Sequence, residues 1–335
     1  MKRLTSLPLE AIVALYFLSY LPNVMLTRWV ATSLNPALGR PLTGLETLPA
    51  ALIINLVLTL VIIWTVGWQR DAHAMQLGKW RVPRPTRLTL LAGIGSALVL
   101  ATVPLSYTFQ GVSIPFIQLV MRGDILLIAP LVDFAFSRQV RWWSWTALGM
   151  VLAALLITLT DRGGLKLPPL ALATVALYTL GFFIRLAVMT RIGKNGDAAT
   201  VRRYFVEEKI VALPLAIALL AVIAASGVGG QAGQLRWGFV AVWSDPVIWV
   251  LAGIGTTLTV ISVFGIMILL DPRENAYCVP LERAASLIAG LGGSVLLALW
   301  FAGEMPRPAE FVGAAILIAA IVLLSLAPRF TSKEA

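Results

Sequence analysis

Residues 247–270 read VIWVLAGIGTTLTVISVFGIMILL, an unbroken run without a charged side chain. At about 1.5 Å per residue such a run makes a helix of roughly 36 Å, enough to cross a hydrocarbon core of about 30 Å. Working outward, comparable runs occupy 9–31, 46–68, 87–108, 112–136, 142–160, 168–190, 206–226, 276–300 and 309–326. Their apolar character is continuous rather than alternating, which excludes a membrane β-barrel. The expected fold is therefore an all-α polytopic membrane protein with ten transmembrane helices. Of 335 residues, 59% are hydrophobic and 13% charged, and the connectors are too short for a soluble catalytic domain. Any chemistry must take place within or between the helices.

The formal net charge of +10 would suggest a nucleic-acid partner in a soluble protein, but topology accounts for it here. With the N-terminus in the cytoplasm, the outward loops hold only Arg40, Arg162, Lys166, Arg236 and Arg307. The spans hold Arg28, Arg122, Arg185, Lys209 and Arg283, and the other sixteen of the 26 Lys and Arg fall in cytoplasmic segments. This distribution obeys the positive-inside rule and puts both termini on the cytoplasmic side of a bacterial inner membrane. The first run is long and contains Pro22, Asn23 and Arg28, so it reads as a spanning helix rather than a cleaved signal. Tryptophans near span ends, such as Trp64, Trp142, Trp143, Trp145, Trp243 and Trp249, suit an interfacial belt.

Cys278 is the only cysteine and His73 the only histidine, which excludes an intrachain disulfide and any multi-histidine or cysteine metal site. Gly78-Lys79 and Gly193-Lys194 lack the flanking pattern of a phosphate-binding loop and read as turns with solvated charges. No cofactor, metal or catalytic residue is expected; the partners expected are a small-molecule substrate, the lipid bilayer and a coupling proton or counter-substrate.

Setting Gly149 against Gly313, 164 positions apart, brings Pro115-Phe116-Ile117-Gln118 onto Pro280-Leu281-Glu282-Arg283 after a one-residue slip. Each half holds five spans, an odd number, so residues 163–335 form a second repeat inverted relative to residues 1–162. Inverted repeats place a substrate site between the halves near the bilayer midplane, with the fourth and ninth spans as paired central elements.

A charge at a helix centre costs roughly 2.5–3.5 kcal/mol on insertion scales, so Arg122, Asp124, Arg185, Glu282 and Arg283 should pair or face a wet cavity. At about 100° per residue, Gln118 and Arg122 share one face of the fourth helix, while Asp124 points elsewhere and needs a partner on another helix. Glu282 aligns with Cys278, Ser286 and Gly293 on the ninth, and Arg283 lies on the neighbouring face. Glu207, Glu208 and Lys209 open the seventh run and read as a solvated helix terminus, with a cytoplasmic gate as the alternative. The deep set carries one surplus positive charge, which favours an anion.

The segments 138–149 (RQVRWWSWTALG) and 303–313 (GEMPRPAEFVG), each a short polar turn into a glycine-containing span, resemble the drug/metabolite transporter superfamily. Leu15-Tyr16-Phe17-Leu18 followed by Asn23 and Arg28 is similar to the first helix of its nucleotide-sugar and phosphate-translocator branch. The resemblance implies a secondary transporter in which basic residues on the fourth and ninth helices, here Arg122 and Arg283, bind phosphate groups. One departure stands out: Glu282-Arg283 occupies the place of a paired basic motif. Together these features point to alternating-access transport of a polar, anionic organic metabolite, without enzymatic activity. The candidate binding residues are Tyr20, Asn23, Arg28, Gln118, Arg122, Asp124, Arg185, Tyr277, Glu282 and Arg283. Proton-coupled export of amino acids or cationic drugs, and lipid flipping on the same fold, are the alternatives.

Overall fold

The computed structural model describes residues 7–78, 80–106, 117, 121, 141–161, 169–192, 194, 197–227, 229–301 and 305–331. In chain order these form α1 (Leu9–Thr32), α2 (Gly44–Val66), the strands β1 (Ala74–Leu77) and β2 (Trp80–Pro83), and α3 (Arg87–Ser106). There follow α4 (Trp142–Asp161), α5 (Pro169–Ile192), α6 (Ala198–Ser226), α7 (Gly229–Phe239), α8 (Ile248–Leu269), α9 (Asn275–Phe301) and α10 (Pro308–Thr331). The chain is an all-α membrane protein. Six helices, α1, α2, α5, α6, α8 and α9, are long and apolar enough to cross a bilayer. Large apolar side chains such as Leu18, Val61, Leu180 and Val222 point outward, which suits contact with lipid rather than water. The fourth predicted run, 112–136, lies outside the described residues apart from Ile117 and Met121, both buried.

Helix ends follow local chemistry. Thr43 and Glu46 form a capping box at the start of α2, and Gly67, at φ 78°, ends that helix in the left-handed region. Asp197 caps α6 by accepting from the N–H groups of Ala199 and Thr200, each at 3.1 Å. The Thr200 hydroxyl, which also donates to this carboxylate, and then these backbone bonds hold the Asp197 carboxyl below its ordinary range. This cap starts α6 eight residues earlier than the apolar run at 206 implied, because Arg202 and Arg203 on its first turns hid the helix from hydropathy.

The connector 69–86 is not simply a solvated loop. Ala74–Leu77 pairs antiparallel with Trp80–Pro83, the register running from Ala74 opposite Pro83 to Leu77 opposite Trp80. The hairpin is tied to α6: Arg202 Nε donates to Asp71 Oδ2 at 2.5 Å, and Arg203 Nε to the Asp71 carbonyl at 3.1 Å. Lys194 likewise is not a surface charge. It is buried and donates to the carbonyls of Asp271 at 3.2 Å and Arg273 at 2.6 Å, clamping the α5–α6 turn onto the α8–α9 turn.

Close helix packing comes from glycines. A Cβ on Gly95 of α3 would sit 2.5 Å from the Gly181 carbonyl oxygen of α5, and one on Gly181 would sit 2.5 Å from the Gly95 oxygen. A Cβ on Gly93 would meet Val211 of α6 at 2.5 Å. The three backbones approach closely because these positions carry no side chain, the usual device of helix association in lipid. Gly181→Val should push α3 and α5 apart and destabilise the protein by about 1–3 kcal/mol. The check is a lowered thermal unfolding midpoint in detergent; an unchanged midpoint would refute the proposed crossing.

Candidate functional site

Four chain segments bring charge to one depth. Ser96 lies nine residues into α3, Glu208 ten residues into α6, Glu282 seven into α9, and Arg185 seven before the end of α5. At the helical rise each sits roughly 10–15 Å from the end that carries the hairpin. Gly95 and Gly181 set this alignment: Ser96 follows one glycine directly, and Arg185 lies about one turn beyond the other.

Between these helices is a cavity lined by Tyr16, Tyr20, Ser96, Arg185, Lys209, Ser262, Glu282 and Arg283 on its polar side. Val99, Leu100 and Val103 of α3 and Leu258 and Ile261 of α8 form its apolar wall. Its water-reachable volume is about 90 Å³; one water needs about 10–15 Å³ on that measure, so the space takes several waters or a small organic molecule.

The charges form two groups. Glu208, fully buried, forms an ion pair with Arg185, whose Nε lies 3.0 Å from Oε1, and the Ser96 hydroxyl donates to the same oxygen. Lys209 Nζ lies 3.8 Å from that oxygen, while Glu208 Oε2 has no hydrogen-bond partner among the described residues. In the second group Glu282 Oε1 accepts from Tyr16 Oη at 2.5 Å, and Glu282 Oε2 lies 3.0 Å from Arg283 Nε. The Arg283 guanidinium rests on the Phe182 ring, 4.2 Å from its centroid, a stacking geometry that orients the planar fork. Tyr16 packs against Tyr20 with centroids 5.5 Å apart.

Of the residues singled out from sequence, Tyr20, Arg185, Glu282 and Arg283 meet at this cavity. Asn23 is turned toward α8, donating to Thr257 Oγ1 at 2.8 Å and to the Ile254 carbonyl at 3.3 Å, and serves to join α1 and α8. Tyr277 sits at the hairpin end, where Arg273 stacks on its ring and donates to its hydroxyl at 3.3 Å. Arg28 is half-buried, two turns beyond Tyr20 on α1. Gln118, Arg122 and Asp124 lie outside the described residues.

The solvated-terminus reading of Glu207, Glu208 and Lys209 is overturned: all three are buried. Starting α6 at Ala198 moves them two to three turns into the helix. Successive residues then face three surroundings. Glu207 accepts from His73, through its backbone N–H at 3.0 Å and Nδ1 at 2.7 Å, and from Thr89 Oγ1 at 2.8 Å. Glu208 turns toward α3 and α5, and Lys209 toward the cavity. Tyr16, Ser96, Glu208 and Lys209 are site residues that sequence reasoning missed; three adjacent charges next to an apolar run were the available signal. Among the described residues no cluster of His, Cys, Asp and Glu could hold a metal ion.

No family model and no curated protein matches the chain. A solved structure described only as "Crystal structure of protein" superposes with a TM-score of 0.61 over 96% of this chain and 99% of its own, at 14% sequence identity. At that identity the likeness speaks to the fold alone.

Glu208 should be the electrostatic keystone. Glu208→Met and Arg185→Met each leave the other group buried without its ion-pair partner and should each cost about 3–5 kcal/mol, whereas the double variant should recover most of that loss. Thermal unfolding of the two single variants and the double variant closes the cycle. Equal destabilisation by single and double variants would contradict the pairing.

Proposed function

We propose that the chain is a secondary active transporter that moves a small polar organic anion across the membrane by alternating access. The observation that carries this reading is the buried cavity at which Arg185, Lys209 and Arg283 meet two carboxylates, Glu208 and Glu282. Intramembrane ionisable groups facing a cavity mark a substrate or ion pathway, and cations in excess favour a negative solute. No covalent step is needed; the residues bind, orient and release.

The contact pattern of the helices supports a plan of two inverted five-helix repeats. With the predicted run 112–136 counted as the fourth span, α1 packs on α8, the eighth span, as α3 packs on α5, the sixth. The second span packs on the eighth as the third packs on the seventh, and α4 packs on α10 as fifth on tenth. Glycines follow the same relation: Gly93 meets α6 beside the Glu208 carbonyl, and Gly255 of α8 meets α2 beside the Ala51 carbonyl. Exchange of helix partners across such a two-fold relation is the basis of rocking between two access states.

Both ends of the assembly are tied. At the hairpin end Asp71 and Glu207 hold the connectors to α6, and at the opposite end Asn35 Nδ2 donates to Asp245 Oδ2 at 3.0 Å. The distribution of Lys and Arg supports a cytoplasmic hairpin end. A second reading, proton-coupled export of an amino acid or cationic drug, draws on one specific contact, the 2.5 Å bond between Tyr16 and Glu282. A buried carboxylate bordering the cavity is the kind of group that intramembrane proton relays use.

A thermal-shift screen of the purified protein against carboxylates, phosphate esters, amino acids and cationic drugs at two pH values separates these readings. A ligand at 100 times its Kd stabilises the folded state by about 2.7 kcal/mol. Anions should raise the midpoint and Arg283→Gln should remove that shift while leaving a monodisperse protein. Stabilisation by cations alone, growing as pH rises, would replace the anion reading with the proton-coupled one.

A further inference from the structure

We infer that the cavity is built for a ligand with a single negative charge and an apolar body, and that Lys209 is the group that binds the charge. This rests on the reading of the cavity as a solute site and narrows the class of solute. Arg185 is in close ion-pair contact with Glu208 at 3.0 Å, and Arg283 with Glu282 at 3.0 Å, its guanidinium stacked on the Phe182 ring. Lys209 is different. Its side chain is 4% exposed, its nearest carboxylate oxygen is 3.8 Å away, beyond hydrogen bonding, and that oxygen already serves Arg185 and Ser96.

An ammonium group carries three donors, and among the described residues none of those of Lys209 is matched by an acceptor. Its other neighbour is the Phe205 ring, 5.9 Å from Nζ to the centroid. A buried charge without hydrogen-bond partners is costly, yet Lys209 lines the cavity, where a bound carboxylate would meet all three requirements of charge, reach and desolvation. Among the described residues, three cations, Arg185, Lys209 and Arg283, stand against two carboxylates, Glu208 and Glu282, and leave one positive charge over. A monoanion neutralises this set, whereas a dianion such as a phosphate ester would leave it with a net negative charge in a low-dielectric space. The apolar part of the lining, with Val99, Val103, Leu258 and Ile261, suits a hydrocarbon or aromatic body.

The test uses the full-length protein in nanodiscs and measures binding by calorimetry. The probes are hexanoate, benzoate and phenylacetate, the dianions succinate and glycerol 3-phosphate, and the neutral amides of the three acids. A monocarboxylate should bind at least tenfold more tightly than either dianion and than its own amide. In Lys209→Gln the surplus charge is gone, so the preference for acid over amide should fall at least tenfold. That ratio is internal to one preparation, and it does not depend on how stable the variant is. Should Lys209→Gln fail to fold, the wild-type ranking of monoanion, dianion and amide decides. Tighter binding of a dianion, or an acid-over-amide preference that survives in Lys209→Gln, would overturn the inference and leave an organic-anion transporter standing. Binding of no anion would overturn both.

Discussion

The contact between Gly95 and Gly181 is the constraint on which the site depends. Because neither residue has a side chain, the backbones of α3 and α5 touch, and a Cβ on either would meet the other's carbonyl oxygen at 2.5 Å. Gly93 gives the same freedom toward α6. The close approach puts Ser96, Arg185 and Glu208 within reach of one another, although their sequence positions are far apart. Wider spacing would leave a buried arginine and a buried glutamate each without a counter-charge, an arrangement far less stable than the pair.

That pair illustrates why a membrane protein retains charges at this depth. Burying an ion pair brings little or no net stability compared with apolar residues of similar size, so a purely structural design has no need of five ionisable side chains at this depth. Here they surround a cavity rather than a solid core. Glu208 and Glu282 each position an arginine, Phe182 fixes the plane of Arg283, and Tyr16 holds Glu282. The carboxylates thus orient the arginines beside the cavity. Such preorganisation reduces what a ligand must reorder on binding.

Three consecutive residues connect the cavity to the hairpin. Glu207 holds His73 and Thr89, Glu208 holds Ser96 and Arg185, and Lys209 borders the cavity. They share one rigid stretch of α6, so a displacement of that helix acts on the connector, the ion pair and the cavity together. In the proposed transport cycle this is the physical route by which an occupied site and a tied helix end are linked. Coupling of this kind requires a packed element with two arrangements.

The apolar runs placed the helices at α1, α2, α3, α4, α5, α8, α9 and α10 within a few residues of their ends, since a helix in lipid must be about as long as the bilayer is thick and must satisfy its backbone internally. Those are local requirements, written in consecutive residues. Arg185, Glu282 and Arg283 were legible for the same reason: a charge inside an apolar run is visible wherever it later packs. The start of α6 was not, because a cap at Asp197 and a tie to Asp71 stabilise turns that hydropathy alone scores as loop. With that start unseen, Glu208 and Lys209 looked solvated. Asn23 and Tyr277 show the converse, polar residues that pack against a neighbouring helix or turn rather than line the cavity. The sequence by itself determined the membrane setting, the helical class and the presence of deep charge. Which charges meet, which carboxylate holds which arginine, and that Lys209 is left facing open space were decided by tertiary structure alone, because they depend on how closely glycines let separate helices approach.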